Sequence, residues 1–166
     1  MADQRVRSRH IAVLGSSGLV GGALVQECKQ RKLRVTGTHY QHPAKGSRAL
    51  DLTDPSAVGQ FLDTVSPSVV ICTAAETHVD RAETEEAMAA GLNVVAVGQL
   101  GQACASRDIN LVFLSSDYVF DGTSGPYEED DQPNPINVYG RQKLQAEQQL
   151  LATSRSTLVL RTTVVF

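Results

Sequence analysis

The stretch Ile11-Ala-Val-Leu-Gly-Ser-Ser-Gly-Leu-Val-Gly-Gly22 decides the fold. It reads as a short buried strand, Ile11 to Leu14, running without a polar break into a glycine-rich turn and then a helix. Gly15 can take backbone angles closed to other residues, Gly18 lets the chain approach a pyrophosphate, and Gly21 lets helix and strand pack closely. The N–H groups at the helix start are left for phosphate, with Ser17, Leu19 and Val20 beside them. The spacing is Gly-x-x-Gly-x-x-Gly, not the Gly-x-Gly-x-x-Gly of the dinucleotide fingerprint. A glycine triplet also serves as a purely structural tight turn. Its place between a first strand and a first helix is what favours a dinucleotide.

Outward from this stretch the same alternation continues. Apolar runs rich in β-branched residues recur at Leu33 to Thr36, Ser68 to Thr73, Ile109 to Leu114 and Thr157 to Leu160, each reading as a strand buried on both faces. Between them lie helix signals. Leu19, Ala23, Leu24 and Cys28 stand at helical spacing, Asp54-Pro55 supplies an N-cap followed by proline, and Asp80 to Arg107 is rich in Ala, Glu, Gln and Leu. Gly91, Gly98 and Gly101 predict a kink or close packing in that last helix rather than a break. Alternating strand and helix predict a doubly wound, mostly parallel α/β sheet with helices on both faces. One long irregular stretch, Asp121 to Asn137, carries two glycines and three prolines, and a loop of that length is more often functional than idle.

The 166 residues fit one domain. With 42% hydrophobic and 20% charged residues the chain belongs with globular proteins, and a net charge of −3 offers no basic field for nucleic acid or an anionic membrane. Cys28, Cys72 and Cys104 match no metal-ligand spacing, so no metal site is expected, and their odd number fits a reducing, cytoplasmic compartment. The basic N-terminus meets glycine too soon after Ile11 to Leu14 to form a signal-peptide core, and no later segment reads as a membrane span.

The end of the second strand normally shows which dinucleotide is bound, through an acidic residue for the ribose 2′-OH of NAD or basic residues for the 2′-phosphate of NADP. Here it reads Val35-Thr-Gly-Thr-His39-Tyr40 without Asp or Glu, followed by His42, Lys45 and Arg48, which favours NADP(H) over NAD(H). Each of these basic residues is individually also compatible with a solvated loop. Asp51-Leu52, after the loop, is a candidate adenine contact or the lead into the capped helix.

Tyr139 and Lys143 stand four apart and so share a helix face. An ammonium near a phenol favours phenolate and draws the tyrosine pKa toward neutrality, the condition for acid–base work. Spacing alone is common by chance. A second cluster changes its weight: Phe113-Leu-Ser-Ser-Asp-Tyr-Val-Phe-Asp-Gly122 places Ser115 and Ser116 at the carboxyl end of the fourth strand, where open α/β sheets bind ligands. A hydroxyl, a tyrosine and a lysine together suit carbonyl reduction by a nicotinamide.

With these motifs the chain resembles the extended short-chain dehydrogenase/reductases from about Ile11 to Phe166. Ser115-Ser-Asp-Tyr-Val-Phe-Asp-Gly, Pro126-Tyr-Glu-Glu-Asp-Asp and Pro135-Ile-Asn-Val-Tyr-Gly-Arg-Gln-Lys-Leu-Gln-Ala-Glu147 are similar to the dTDP-4-dehydrorhamnose reductase branch. The resemblance implies a Rossmann-like domain and NADPH-dependent reduction of a 4-keto nucleotide sugar. It makes Ser116 the carbonyl-orienting hydroxyl, Tyr139 the proton donor, and Lys143 the residue that binds the nicotinamide ribose. It adds Asn93 in the long helix and Thr73-Ala74-Ala75 under the cofactor. Asp117-Tyr118 replaces the Asp-Glu pair of related dehydratases, which disfavours dehydration. Glu76, after two alanines, is similar instead to the regulatory subunit of methionine adenosyltransferase, implying an alternative role as an NADP-binding partner of another enzyme, or a homodimer. Gln142 and Ala146 replace a threonine and a glycine common in the branch. The family continues for a further sugar-binding lobe, expected here to be absent or incomplete.

Overall fold

All five apolar runs become strands, and a sixth forms where none was expected. The computed structural model describes residues 9–165, so the basic N-terminal residues 1–8 and Phe166 lie outside the described residues. The strands are β1 (His10–Leu14), β2 (Arg34–His39), β3 (Arg48–Ala49), β4 (Val69–Cys72), β5 (Asn110–Ser116) and β6 (Thr157–Thr162). They form one parallel sheet in the order β3-β2-β1-β4-β5-β6. That is the order of the dinucleotide-binding doubly wound fold, and its direction of winding reverses between β1 and β4. β3 escaped the sequence reading because two residues carry no hydrophobic period.

The helices are α1 (Leu19–Gln30), α2 (Pro55–Val65), α3 (Val79–Thr84), α4 (Glu86–Ala105) and α5 (Val138–Thr153). The Asp54 carboxylate caps α2 by accepting from Ser56 N at 2.8 Å and Ala57 N at 3.1 Å, as the Asp-Pro signal predicts. The helix expected as one from Asp80 is broken at Glu85, whose non-helical backbone (φ −125°, ψ 49°) separates α3 from α4. α4 itself is continuous and carries a π-helical turn at Gly91–Ala96. Its glycines act by close packing: a Cβ on Gly98 would lie 2.5 Å from Gln149 Oε1, and one on Gly101 2.5 Å from Leu150 Cδ2, so α5 lies against bare backbone there.

α4 also corrects the expectation about membrane spans, since its length and apolar composition are those of a spanning helix. Those apolar side chains have another use, because Val97, Leu100 and Cys104 are buried in the main core. Alternate residues of the central strands (Ala12 and Leu14, Val70 and Cys72, Leu111 and Phe113) join them with Leu62 of α2 and Leu150 of α5. The opposite face is covered differently. α1 lies beside β1 and β2 and Val13 is fully buried, but Ile71, Val112 and Leu114 are half-buried, and Leu158 and Leu160 of β6 are exposed. The expectation of strands buried on both faces therefore fails from β4 to β6, where no helix among the described residues covers the second face.

Candidate active site

A cleft of about 970 Å³ opens at the carboxyl edge of the sheet, where the strand order reverses. On one side the turn after β1 forms its wall. Gly15 has φ +86°, and a Cβ there would lie 2.9 Å from Ala74 N; a Cβ on Gly21 would collide with Gly15 O. The Thr73 hydroxyl donates to Leu14 O at 2.8 Å, tying the turn to β4. Ser17, Gly18, Leu19, Val20 and Gly21 line the cleft at the start of α1, where helix N–H groups lack intrahelical partners. Thr73, Ala74 and Ala75 form the floor beside them.

Beyond β2, His39, Asp51 and Leu52 line the same cleft. His39 Nδ1 lies 2.7 Å from Ser47 Oγ, and Asp51 accepts from Thr53 N at 2.8 Å, which fixes the loop between them. Of the basic residues noted after β2, His42 reaches the wall and Lys45 and Arg48 do not.

The other wall comes from β5 and α5. Ser116 sits at the end of β5, nearly buried, its hydroxyl donating to Asp117 Oδ1 at 3.1 Å and accepting from Tyr118 N at 3.2 Å. Tyr139 and Lys143 face the cleft from the first turns of α5. α5 begins where it does because Asn137 accepts from Gly140 N at 2.7 Å, while the Glu83 carboxylate of α3 accepts from Val138 N at 2.7 Å. Gly140 is as consequential as the tyrosine before it, since a Cβ there would collide with Tyr118 O. Only bare backbone lets α5 sit against the turn that carries Ser116.

Tyr139 does not have the pKa that its spacing from Lys143 predicts. Burial pushes the phenol up, Asp117 and Tyr118 push it further, and only the Ser116 hydroxyl pulls it back. Lys143 is engaged elsewhere, with Nζ donating to Leu114 O at 2.5 Å and lying 4.0 Å from the centroid of the Phe113 ring. Desolvation lowers its own pKa to about 8 against the opposing pull of Cys72 and Glu147.

Asn93 is not on the cleft wall. It is buried behind it, accepting from Glu76 N at 2.9 Å and donating to Glu76 O at 3.1 Å and Gln142 Oε1 at 3.0 Å, which joins the β4–α3 loop to α5. The sequence reading missed several wall residues. Tyr118 packs edge-on against Tyr139 at 5.9 Å, Arg81 pairs with Glu76 at 3.3 Å, and Thr162 to Val165 close one end. Tyr118 could have been found from its place two residues after Ser116; Arg81 carried no spacing signal.

Residues 9–166 match the family model described as the RmlD substrate binding domain. The chain belongs to that family. It is 38% identical to methionine adenosyltransferase 2 subunit beta of Xenopus laevis over 164 residues, which cover 99% of this chain and 49% of that protein. It is 38% identical to dTDP-4-dehydrorhamnose reductase of Mycolicibacterium smegmatis (strain ATCC 700084 / mc(2)155) over 163 residues, 97% of this chain and 47% of that protein. A solved structure of dTDP-4-dehydrorhamnose reductase from Bacillus anthracis str. Ames in complex with NADP superimposes with a TM-score of 0.85 at 29% identity, over 93% of this chain and 53% of that one. Both resemblances read from the sequence are met. The chain spans about half the length of the curated relatives it matches.

Proposed function

We propose that this chain is the dinucleotide-binding part of an NAD(P)-dependent oxidoreductase that reduces a 4-keto nucleotide sugar, with NADP(H) preferred over NAD(H). The observation that carries the reading is the meeting of Ser116, Tyr139 and Lys143 on one wall of a cleft whose other wall is the glycine turn and the start of α1. The turn suits a pyrophosphate, since Gly15 and Gly21 have no room for a Cβ and the residues at the start of α1, where helix N–H groups lack intrahelical partners, line the cleft. His39 and His42, with no acidic residue among positions 34–42, suit a 2′-phosphate. Three free, buried cysteines support a reducing cytoplasmic setting.

A reduced nicotinamide, when bound, would supply the hydride for the carbonyl carbon. Ser116 Oγ donates to the carbonyl oxygen and holds it beside Tyr139. The Tyr139 hydroxyl delivers a proton to that oxygen as the carbonyl becomes a hydroxyl. Burial keeps the phenol protonated until that moment, which suits a proton donor. Lys143 would hold the nicotinamide ribose and offset the negative charge that develops on Tyr139. Tyr139→Phe in the full-length protein is expected to cut turnover by on the order of 10²–10⁴-fold with NADPH affinity little changed. Retained turnover would sink the role.

A second reading is favoured by the match to the methionine adenosyltransferase 2 beta subunits and by Glu76 after Ala74-Ala75. In it the fold holds NADP and docks on a partner enzyme without turnover. Titration with NADPH and NADH, followed by a dTDP-4-keto-6-deoxy sugar while nicotinamide absorbance is monitored, separates the two. Cofactor binding without oxidation, together with co-purification of a second protein, selects the regulatory reading.

A further inference from the structure

The mechanism above leaves unused a carboxylate sealed inside the fold. Glu147 stands on α5, about two turns after Tyr139, and its side chain is 2% exposed. Its partner is Arg161 of β6, whose Nε donates to Oε1 at 3.1 Å and whose Nη2 donates to Oε2 at 2.7 Å. A buried pair of this kind is weak evidence for stability, because apolar side chains of similar volume hold a fold about as well. What two parallel bonds between planar groups add is a fixed distance and angle. Arg161 uses that fixity where the walls of the cleft meet. It pairs in register with Ser115, and the next residue, Thr162, pairs with Ser116. Its guanidinium lies 5.0 Å from the centroid of the Phe120 ring, just after the turn that Ser116 caps, and Phe120 stacks in turn on Tyr127 at 4.2 Å with planes 6° apart. The bonds that Asp121 accepts from Tyr127, Thr123 and Asn134 close the loop on itself and do not seat it on the body. Among the described residues, the hydrogen bonds that tie residues 121–134 to the rest of the fold are Asn134 N to Val119 O at 2.9 Å and Arg161 Nη1 to Glu129 O at 3.4 Å.

We propose that Arg161, held by Glu147, is a positioning residue for the candidate active site: it seats the turn that carries Ser116, and the loop that follows, against α5. The guanidinium is the base of a three-layer stack with Phe120 and Tyr127, and Glu147 fixes that base to the helix that bears Tyr139. This tie acts on the far side of the turn from the Gly140–Tyr118 contact, so the segment after Ser116 is held at both ends. The catalytic consequence rests on the reductase reading above; the seating of the turn and loop does not.

The test is made on the full-length protein by amide hydrogen exchange without ligand, and by turnover. Arg161→Leu combined with Glu147→Leu removes both charges and strands neither, so the thermal midpoint is expected to stay near that of wild type. Exchange across residues 117–131 is expected to quicken about tenfold or more, with the central strands and the second half of α5 unchanged. Turnover is expected to fall about tenfold or more while the KM for NADPH holds. Arg161→Lys keeps the charge but loses the flat two-pronged fork, and is expected to loosen the same residues to a smaller extent. Wild-type exchange across 117–131 in the folded double variant overturns the proposal. Exchange that rises equally in the loop, the strands and α5 does so too, because that marks a role in stability alone, and so does a loosened loop with unchanged turnover. If the double variant does not fold, wild-type exchange in Arg161→Lys overturns the proposal equally. A wild-type protein without turnover defeats the reductase reading and leaves the exchange comparison to decide the seating.

Discussion

Lys143 keeps its ammonium where a charge is poorly solvated, 2% exposed and over an aromatic ring. Its pKa, lowered from 10.5 to about 8, means that the unfolded chain holds this proton more tightly than the folded one. The resulting penalty is present below about pH 8 and is relieved as pH rises toward the unfolded value near 10.5. A shift of that size corresponds to on the order of 3 kcal/mol as an upper bound. Lys143→Met is therefore expected to raise the urea midpoint at pH 7, with the advantage over wild type shrinking between pH 8 and 10.5. Equal midpoints at pH 7 would show that the ammonium is better satisfied than its burial implies. The sequence disclosed the identity of this residue and its place on a helix face. It did not disclose the direction in which the Tyr139 phenol shifts, because burial, the largest cause of that shift, belongs to the packed state and not to the four-residue spacing.

At the scale of elements, α5 is held at its start by contacts from residues distant in sequence. Gly140→Ala would drive a Cβ into the carbonyl of Tyr118, which is backbone and cannot rotate away. We expect a loss of roughly 2 kcal/mol or more, read as a lower thermal midpoint. Gly91→Ala, with nothing within 4 Å of the added carbon, is the control and should be neutral or stabilising by up to about 1 kcal/mol. Glu83→Ala leaves Val138 N without its acceptor and should cost about 1 kcal/mol. The loop after β5 is ordered through Asp121, which accepts from Tyr127 Oη at 2.6 Å, Thr123 N at 2.9 Å and Asn134 Nδ2 at 2.8 Å. The Tyr127 bond, followed by those from Thr123 and Asn134, holds its carboxyl well below the usual range. That contribution is complete above the unfolded carboxylate value near 3.9 and is lost as pH falls below it. Proteolytic nicking between 121 and 137 should therefore appear in acid, and in Asp121→Asn already at neutral pH; resistance in both would show that the loop is held by other contacts. Helix existence was legible from periodicity and from Asp54-Pro55. The break at Glu85 was not, since no turn residue marks it, and Glu83 could not be paired with Val138 by anything local.

For the whole molecule, the alternation of apolar runs and helix signals was enough to reach a parallel doubly wound sheet, because strands that share one core must lie side by side. What it could not show is how unequally the two faces are covered. Leu158 and Leu160 have the composition of a buried strand yet are exposed at 54% and 45%. Replacing both by lysine is expected to leave the circular dichroism spectrum unchanged and to reduce the binding of a hydrophobic dye; a loss of fold would mean that this face is packed in solution. The cleft was legible as a set of motifs, whereas helix position alone does not tell which side of its wall Asn93 occupies. The bare contact between Gly140 and Tyr118 bears also on fluctuation. Ser116 and Tyr139 belong to segments that meet backbone to backbone, so thermal displacement of α5 carries both hydroxyls along. The variance in their separation should be smaller than the variance in the distance of either from the turn after β1, so the width of the cleft fluctuates more than the spacing of its two hydroxyls.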